Sequence, residues 1–293
     1  MANLFRNYLF GKPNQRDFTD ADLPENRVQL FLQVLNVRKG SMVGLNLLYL
    51  LIWIPAILWT FINYAQLLVV NVPTPDELRQ ITFTWLLLLW PLIAITGPFN
   101  AGISHVLHLW ARDEHSFPFG DFKAGMKENW KQGLLFSALD GGVPLLLYLC
   151  IDFYTGLMGQ SLLFLPPLGI AIIAAGIWFL AAPIVPVLIV NYRQSLGGHL
   201  RNALLMTLAQ LPRAIAVRLG TLSVLIVALM SYFLFPAAFG WISCITVLLY
   251  AVFLLAFNRL IWASYANYLG EKYLNTKIQG APTDIGLKPK EPK

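Results

Sequence analysis

Six long apolar runs divide this sequence, and each is long enough to cross a lipid bilayer as one helix. The hydrocarbon core of a membrane requires about 20 helical residues. Lipid offers no partner to backbone N–H and C=O groups, and the runs lack the alternation of barrel strands, so we expect helices. The predicted fold class is an all-α, polytopic membrane protein with about six transmembrane helices. The runs lie at residues 43–70, 81–110, 132–154, 161–191, 213–235 and 238–262.

The composition agrees with a membrane protein. Hydrophobic residues make up 57% of the chain and charged residues 12%, and the mean hydropathy is +0.61. Soluble globular domains carry about 25% charged residues. The second and fourth runs exceed the length that the bilayer requires, so we expect these helices to tilt, kink or project into water.

Basic residues mark one side of the predicted bundle. The chain has 21 lysines and arginines, and the loops near residues 71–80, 155–160 and 236–237 contain only Arg79. The remaining twenty lie at the opposite helix ends, which we call the basic side, and the positive-inside rule places this side in the cytoplasm. We therefore expect a cytoplasmic N-terminal segment (residues 1–42), a transmembrane helix bundle (43–265) and a cytoplasmic C-terminal tail (266–293).

The net charge of +6 needs no nucleic-acid partner. Basic residues at cytoplasmic helix ends set the orientation of membrane proteins and face anionic lipid headgroups. A nucleic-acid-binding role would require a basic domain, and the sequence contains none. The lipid bilayer is the partner that the composition predicts.

The longest connection on the basic side, residues 112–131, has an amphipathic pattern. Its apolar residues recur at helical spacing while the lysines between them point elsewhere, and Asp121 is suited to cap the helix. We expect an amphipathic helix that lies in the membrane surface or contacts a partner. Its apolar face, the aromatic stripe, consists of Phe119, Phe122, Met126 and Trp130.

A second connection on the basic side, residues 195–214, also predicts an amphipathic helix, since leucines form one face before Pro212. Importer permeases that couple to an ATPase carry a helix in a comparable loop, often ending in Leu-Pro. The usual Glu-Ala-Ala start and the following glycine are missing here. A surface helix leading into the fifth run is the simpler interpretation, and ATPase docking is the other. The candidate docking residues in this helix are Arg201, Leu204 and Leu208.

Several segments occur in the order found in one family. Over about residues 40–270 the chain resembles the YesL family of bacterial membrane proteins, although many shorter members place the first two segments in a single helix. Here residues 56–90 separate them and make two crossings. The segments are LNLLYLLIWIP (45–55), GPFNAG (97–102), ARDEHSFPFGDF (111–122), KENWKQG (127–133) and RNALLMTLAQLP (201–212).

The resemblance implies a protein of the bacterial cytoplasmic membrane. It also implies a link to carbohydrate uptake, because family members look like neighbours of carbohydrate uptake systems. It carries over no catalytic residue. We expect a non-enzymatic accessory or interaction subunit linked to ABC-type carbohydrate uptake, whose partners are the importer subunits or a second copy. The aromatic stripe and the 195–214 helix would provide the docking surface.

His105 and His108 are three residues apart, so a helix presents both on one face. A zinc site needs three or four ligands with supporting partners, and the neighbouring Asp113, Glu114 and His115 show no recognised spacing. A polar helix end is the favoured interpretation over a metal site. We predict no metal, and no cofactor.

Asp140 is the most unusual polar residue. It lies about 12 Å along the third helix at 1.5 Å per residue, where an ionisable group is costly and faces a cavity or a partner. The following Gly141, Gly142 and Pro144 favour a break like those at transporter sites. The alternative function is thus a transporter or permease with a path near Asp140, and the candidate intramembrane polar site is Asp140 with His105 and His108. A purely structural aspartate that joins helices is the other interpretation.

No nucleotide-binding or hydrolytic motif accompanies these residues. The sequence lacks a phosphate-binding glycine loop, a Gly-x-Ser-x-Gly turn and a His-Glu-x-x-His helix. We therefore expect no enzymatic activity.

Overall fold

The computed structural model describes residues 23–69 and 73–288, and this part of the chain is helical with no strand. Within residues 23–69 and 73–288, ten α-helices follow one another, joined by short 3₁₀ turns and one π-helical turn at Tyr250–Leu254. They are α1 (Arg27–Val69), α2 (Pro75–Ile95), α3 (Gly97–Trp110), α4 (Pro118–Met158), α5 (Leu165–Ala181), α6 (Val185–Asn191), α7 (Leu196–Ala209), α8 (Leu211–Leu234), α9 (Phe239–Leu249) and α10 (Leu255–Tyr273).

Six helical stretches in the described part are long and apolar enough to cross a membrane, which confirms the predicted fold class at this level. Their exposed side chains are largely apolar, as expected for helices that face lipid. The stretches are Arg27–Leu67, Pro75–Ile95, Pro118–Met158, Leu162–Asn191, Leu211–Leu234 and Pro236–Lys277.

Three of these stretches are about twice as long as the bilayer requires; the sixth, of 42 residues, contains the π-helical turn, whereas the other two belong to the single α-helices α1 and α4. Helix α1 has 43 residues and α4 has 41, which corresponds to about 60 Å at 1.5 Å per residue. The expected boundary at residue 43 falls inside α1, and the expected surface helix in residues 112–131 forms the first part of α4. Both helices therefore extend well beyond one bilayer face.

The second apolar run is divided into two helices. Helix α2 ends at Ile95, and α3 begins at Gly97 with Pro98 in its first turn, so that only Thr96 separates them. Ten of the 14 residues of α3 are buried, among them Ile103, Leu107 and Trp110. A helix surrounded by protein in this way does not face lipid, which corrects the prediction of one span over residues 81–110.

Glycines bring α3 and α4 into direct contact as an antiparallel pair. A Cβ atom on Gly97 would lie 2.2 Å from the carbonyl oxygen of Gly133, and one on Gly125 would lie 2.5 Å from the Cβ of His105. Only glycine permits such a distance between helix backbones. The same antiparallel pairing continues between α2 and α4, where Trp90 Nε1 donates to the carbonyl oxygen of Ala138 at 2.7 Å.

Asn46 connects α1 to the sixth apolar stretch. Its amide nitrogen donates to the carbonyl oxygens of Tyr250 (3.0 Å) and Ala251 (2.7 Å), and its oxygen accepts from the backbone N–H of Ala256 (2.9 Å). The π-helical turn interrupts the regular hydrogen-bond ladder at this point. The fully buried Asn46 side chain therefore satisfies the backbone groups that the turn leaves unpaired.

A large cluster of buried hydrophobic side chains lies on the basic side. It joins the first part of α1 to α3, α6, α7 and the end of α10. The chain after α10 closes this core, because the N–H of Lys288 donates to the carbonyl oxygen of Pro24 at 2.9 Å and Arg27 forms an ion pair with Glu271. The predicted boundary at residues 265 and 266 falls inside α10, which continues to Tyr273.

Candidate functional site

A cavity of about 710 Å³ lies in the centre of the bundle. Each of the six apolar stretches contributes side chains to its wall, and α3 contributes Asn100. Cavities of this size between helices of a bundle are typical ligand sites. The charged members of the lining are Asp140, Arg218 and Arg259, and the aromatic members are Tyr49, Trp53, Phe136, Trp178, Phe179, Tyr250 and Trp262.

Asp140 reaches the cavity from α4. Its Oδ1 accepts a hydrogen bond from Trp178 Nε1 at 2.8 Å, and the Trp178 ring stacks on Phe136 with 6.3 Å between ring centroids. No described residue donates to Oδ2. One carboxylate oxygen is thus fixed by the protein, and the other is free to accept a further hydrogen bond.

The helix does not break beside Asp140. Helix α4 continues through Gly141, Gly142 and Pro144, contrary to the predicted break. A Cβ on Gly141 would lie 3.0 Å from the Cβ of Ile93, so this glycine allows α2 to approach. The small residues therefore serve helix packing, and the cavity beside them forms without an unwound segment.

Arg218 enters the cavity from α8. Its guanidinium carbon lies 3.8 Å from the ring centroid of Phe179 and 4.9 Å from that of Trp262. Nη2 donates to the carbonyl oxygen of Phe179, while Nε is buried and has no acceptor among the described residues. Aromatic rings and a neutral carbonyl hold this cation in place.

Arg259 enters from α10 and joins three helices. Its Nε and Nη2 donate to the hydroxyl oxygen of Tyr49 at 3.0 and 2.7 Å, and Nη2 also donates to Asn100 Oδ1 at 2.9 Å. Asn100 in turn donates to Thr96 Oγ1 at 2.9 Å. The network fixes the guanidinium with neutral acceptors that belong to α1 and α3.

The cavity has an excess of positive charge. Its lining contains two guanidinium groups and one carboxylate, and both arginines interact electrostatically with Asp140. None of the ion pairs within 4.0 Å in the described chain joins these three residues. Asp140 therefore compensates at most one of the two cations, and from a distance.

His105 and His108 do not line the cavity, so the structure does not combine them with Asp140. His108 Nδ1 lies 2.7 Å from Asn267 Oδ1, and Arg112 Nη1 lies 3.1 Å from His108 Nε2. Since arginine can only donate, Nε2 accepts and Nδ1 carries the proton. Burial, with Arg112 nearby, lowers the pKa of His108 to about 4. His105 instead packs against Gly125, and the described residues contain no group of three potential ligands that could hold a metal ion.

The aromatic stripe does not form one face. Phe122 is buried against Gly102 and Met126 packs against the core, whereas Phe119 and Trp130 are 74% and 47% exposed. The close contact between α3 and α4 determines which side chains face inward. Asp121 accepts from the Phe117 N–H at 2.7 Å, so it stabilises the first turn of α4 from within the helix.

Helix α7 corresponds to the second predicted amphipathic segment. Leu204 packs against the core, whereas Arg201 and Leu208 are exposed. The helix ends at Ala209, and α8 begins at Leu211 with Pro212 in its first turn. Of the three candidate docking residues in this segment, Arg201 and Leu208 are therefore accessible to a partner.

The sequence does not single out the two cavity arginines. In the charge pattern, Arg218 and Arg259 belong to the twenty basic residues that are predicted to set orientation. Arg218 lies about 10 Å along α8 at 1.5 Å per residue, and this depth was the available signal. Their common cavity depends on helix packing.

Comparisons of the chain with protein-family models, with curated proteins and with solved structures give no match.

Proposed function

We propose that this chain is a permease, or a permease subunit, that binds a polar solute in the central cavity and has Asp140 on the solute path. The observation that carries this proposal is the cavity itself, which is lined by all six apolar stretches and contains a carboxylate with one free oxygen. Ionisable groups at such positions in a membrane are costly and mark substrate pathways.

The cellular setting proposed for this function is based on the charge pattern and on the family resemblance of the sequence. The basic side would face the cytoplasm, which places both chain ends there. The resemblance to the YesL family would place the protein in a bacterial cytoplasmic membrane and associate its solute with carbohydrate uptake. In this setting the packed helical layer of α3, α6 and α7 lies between the cavity and the cytoplasm.

Uptake by an Asp140→Asn variant tests the proposal. Asparagine keeps the size of the side chain and one acceptor but removes the negative charge. In a deletion strain we expect the unmodified chain to restore uptake of at least one labelled sugar from a panel, and Asp140→Asn to reduce that uptake at least about tenfold, since a hydrogen bond to a charged group contributes about 1.5–3 kcal/mol.

Asp113→Asn is the matched control, because Asp113 is exposed, lies outside the cavity, and has a positive φ of 55° that asparagine tolerates. Both variants must accumulate in the membrane to the same level. Unchanged uptake in Asp140→Asn would remove the main support for a solute path at this residue.

A second candidate function is that of an accessory subunit of a carbohydrate importer. The observation in its favour is the exposure of apolar side chains near the basic side, namely Phe117, Phe119, Leu205 and Leu208. Purification in mild detergent followed by mass spectrometry should then yield a stoichiometric partner, and Leu208→Ser should weaken its recovery. A chain that purifies alone would contradict this role.

A further inference from the structure

We propose that the ligand of the central cavity is an organic anion whose carboxylate or phosphate group binds between Arg218 and Arg259. This inference rests on the proposed function, because it names the class of solute that the same cavity accepts. The structural basis is that two guanidinium groups and a single carboxylate, which forms no close ion pair with either of them, lie in a wall that is otherwise uncharged and largely apolar.

The charge balance of the cavity argues against a cationic ligand. A cation would add a third positive charge to a site with one carboxylate, and a charge in a low-dielectric setting is costly unless it is paired. A neutral ligand would leave the excess charge as it is. An anion with one negative charge brings the sum over Asp140, Arg218 and Arg259 to zero.

The hydrogen bonds of the arginines support the same conclusion. Every acceptor that the structure provides to Arg218 and Arg259 is neutral: a backbone carbonyl, the Tyr49 hydroxyl and the Asn100 amide oxygen. These groups orient the guanidinium planes without neutralising them. Arginine placed in this way is suited to carboxylate and phosphate oxygens, which it binds with paired N–H donors.

Three buried polar atoms in the cavity wall have no hydrogen-bond partner among the described residues, and each of them can donate. They are Nε of Arg218, Nε1 of Trp53 and the hydroxyl of Tyr250. Buried polar atoms in native proteins are nearly always paired, so each unpaired donor requires an explanation. Oxygen atoms of a bound anion would satisfy such donors, whereas a hydrocarbon ligand would not.

Asp140 and the aromatic wall define the remainder of the ligand. The free Oδ2 of Asp140 accepts hydrogen bonds, which suits a hydroxyl group on the same molecule. The rings of Trp178 and Phe136 provide a flat apolar surface beside it. The ligand class is therefore a hydroxylated organic anion with a compact body.

Such an anion could be a soluble compound or the phosphodiester of a membrane lipid, since both present the same oxygens to arginine. The full chain in nanodiscs separates these sources. We would measure binding by intrinsic tryptophan fluorescence, because Trp53, Trp178 and Trp262 line the cavity. The soluble probes are glucuronate and glucose 6-phosphate, with glucose and glucosamine as neutral and cationic counterparts, in phosphatidylcholine discs with or without phosphatidylglycerol.

We expect saturable binding of at least one anionic probe, at least about tenfold tighter than that of glucose or glucosamine, since a charged hydrogen-bonded pair contributes more than one factor of ten. Arg218→Gln should weaken this binding at least about tenfold, and Arg193→Gln, an exposed arginine outside the cavity, should not. If phosphatidylglycerol competes with the soluble anion in an Arg218-dependent way, or replaces it, the ligand is a lipid phosphodiester.

Folding of Arg218→Gln is checked by size-exclusion elution and helix content. If this variant does not fold, Arg259→Gln and the competition of chloride with the anion in the unmodified chain decide the question. The inference is overturned if neutral glucose binds as tightly as the anions, if the arginine substitutions leave anion binding intact, or if neither soluble anions nor phosphatidylglycerol bind.

The two proposals can fail separately. Glucose binding that depends on Asp140 and not on Arg218 would retain a permease but reject an anionic ligand. Arg218-dependent anion binding together with normal uptake in Asp140→Asn would retain the anion site but reject Asp140 as part of the path.

Discussion

His108 is a polar residue that is buried in the packed helical layer in its uncharged form. Its neutral ring donates to Asn267 and accepts from Arg112, so both nitrogens are paired. Asn267 returns a hydrogen bond from its amide to the carbonyl oxygen of His108 at 3.2 Å. Protonation at Nε2 would place a second cation against Arg112, and the ring therefore holds α3 to α10 only in its neutral form.

We predict that this histidine makes the chain sensitive to acid. The pKa of His108 is about 4 in the folded chain and about 6.5 when it is unfolded. Between these values the unfolded chain binds a proton that the folded chain does not, so stability is complete above about pH 6.5 and decreases as the pH falls towards 4. The expected loss between pH 7 and pH 5 is about 2 kcal/mol, measured as the free energy of unfolding in detergent.

His108→Gln should remove this part of the pH dependence, because glutamine does not titrate. His115→Gln should retain it, since His115 is exposed. Equal pH dependence in the two variants would show that the acid sensitivity has another origin.

At the scale of elements, the contact between α3 and α4 determines the shape of the basic side. Gly97 and Gly133 face one another so closely that each would place a Cβ against the backbone of the other. Farther along the same contact, Gly102 accommodates Phe122 and thereby turns it away from the surface.

We predict that Gly97→Ala separates these helices and destabilises the chain by about 1–3 kcal/mol, the usual cost of overpacking. The added methyl group would meet backbone atoms of Gly133 and Leu134 within 2.7 Å, which a side-chain rotation cannot relieve. Gly40→Ala is the control, because Gly40 lies in α1 with no atom within 4 Å of the added Cβ. This control should be neutral or stabilising by up to about 1 kcal/mol. A Gly97→Ala variant as stable as Gly40→Ala would contradict the close contact.

At the scale of the whole molecule, the chain has a lipid-facing region and a packed helical layer at the basic side. The long helices α1 and α4 pass through both. Exposed large apolar side chains are frequent from Leu47 to Val69 in α1, while Leu30, Val34 and Met42 in the same helix are buried. The apolar side chains in the first part of α1 are thus buried by protein, whereas many of those farther along the same helix are suited to face lipid.

We predict that the packed layer lies in the cytoplasm. In a background with Cys150→Ser and Cys244→Ser, a cysteine introduced at the exposed Lys127 should resist a membrane-impermeant thiol reagent added to intact cells and react after lysis. A cysteine at Gln160, in the loop that follows α4, should react in intact cells. Labelling of the Lys127 position from outside would invert the orientation and, with it, the assignment of the docking surface.

The sequence by itself determined the helical fold class, the existence of six apolar stretches and the concentration of basic residues at one side. These are local properties, because the length and hydropathy of a segment decide whether it suits lipid. Tertiary structure decided that residues 81–110 form parts of two helices. It also decided which residues of the aromatic stripe are buried and which are exposed. An apolar side chain such as Phe122 is stabilised almost equally by lipid and by a packed neighbour, so its pattern does not distinguish the two.

The shared cavity of Asp140, Arg218 and Arg259 also depended on the tertiary structure. These residues lie on three helices that are far apart in the sequence, and each can be explained locally, as a helix-joining carboxylate or as a basic residue that sets orientation. Only the packing of α4, α8 and α10 around one space shows that two guanidinium groups share one carboxylate. Electrostatic interaction depends on distance in space, and this distance is set by helix contacts that hydropathy and charge patterns do not encode.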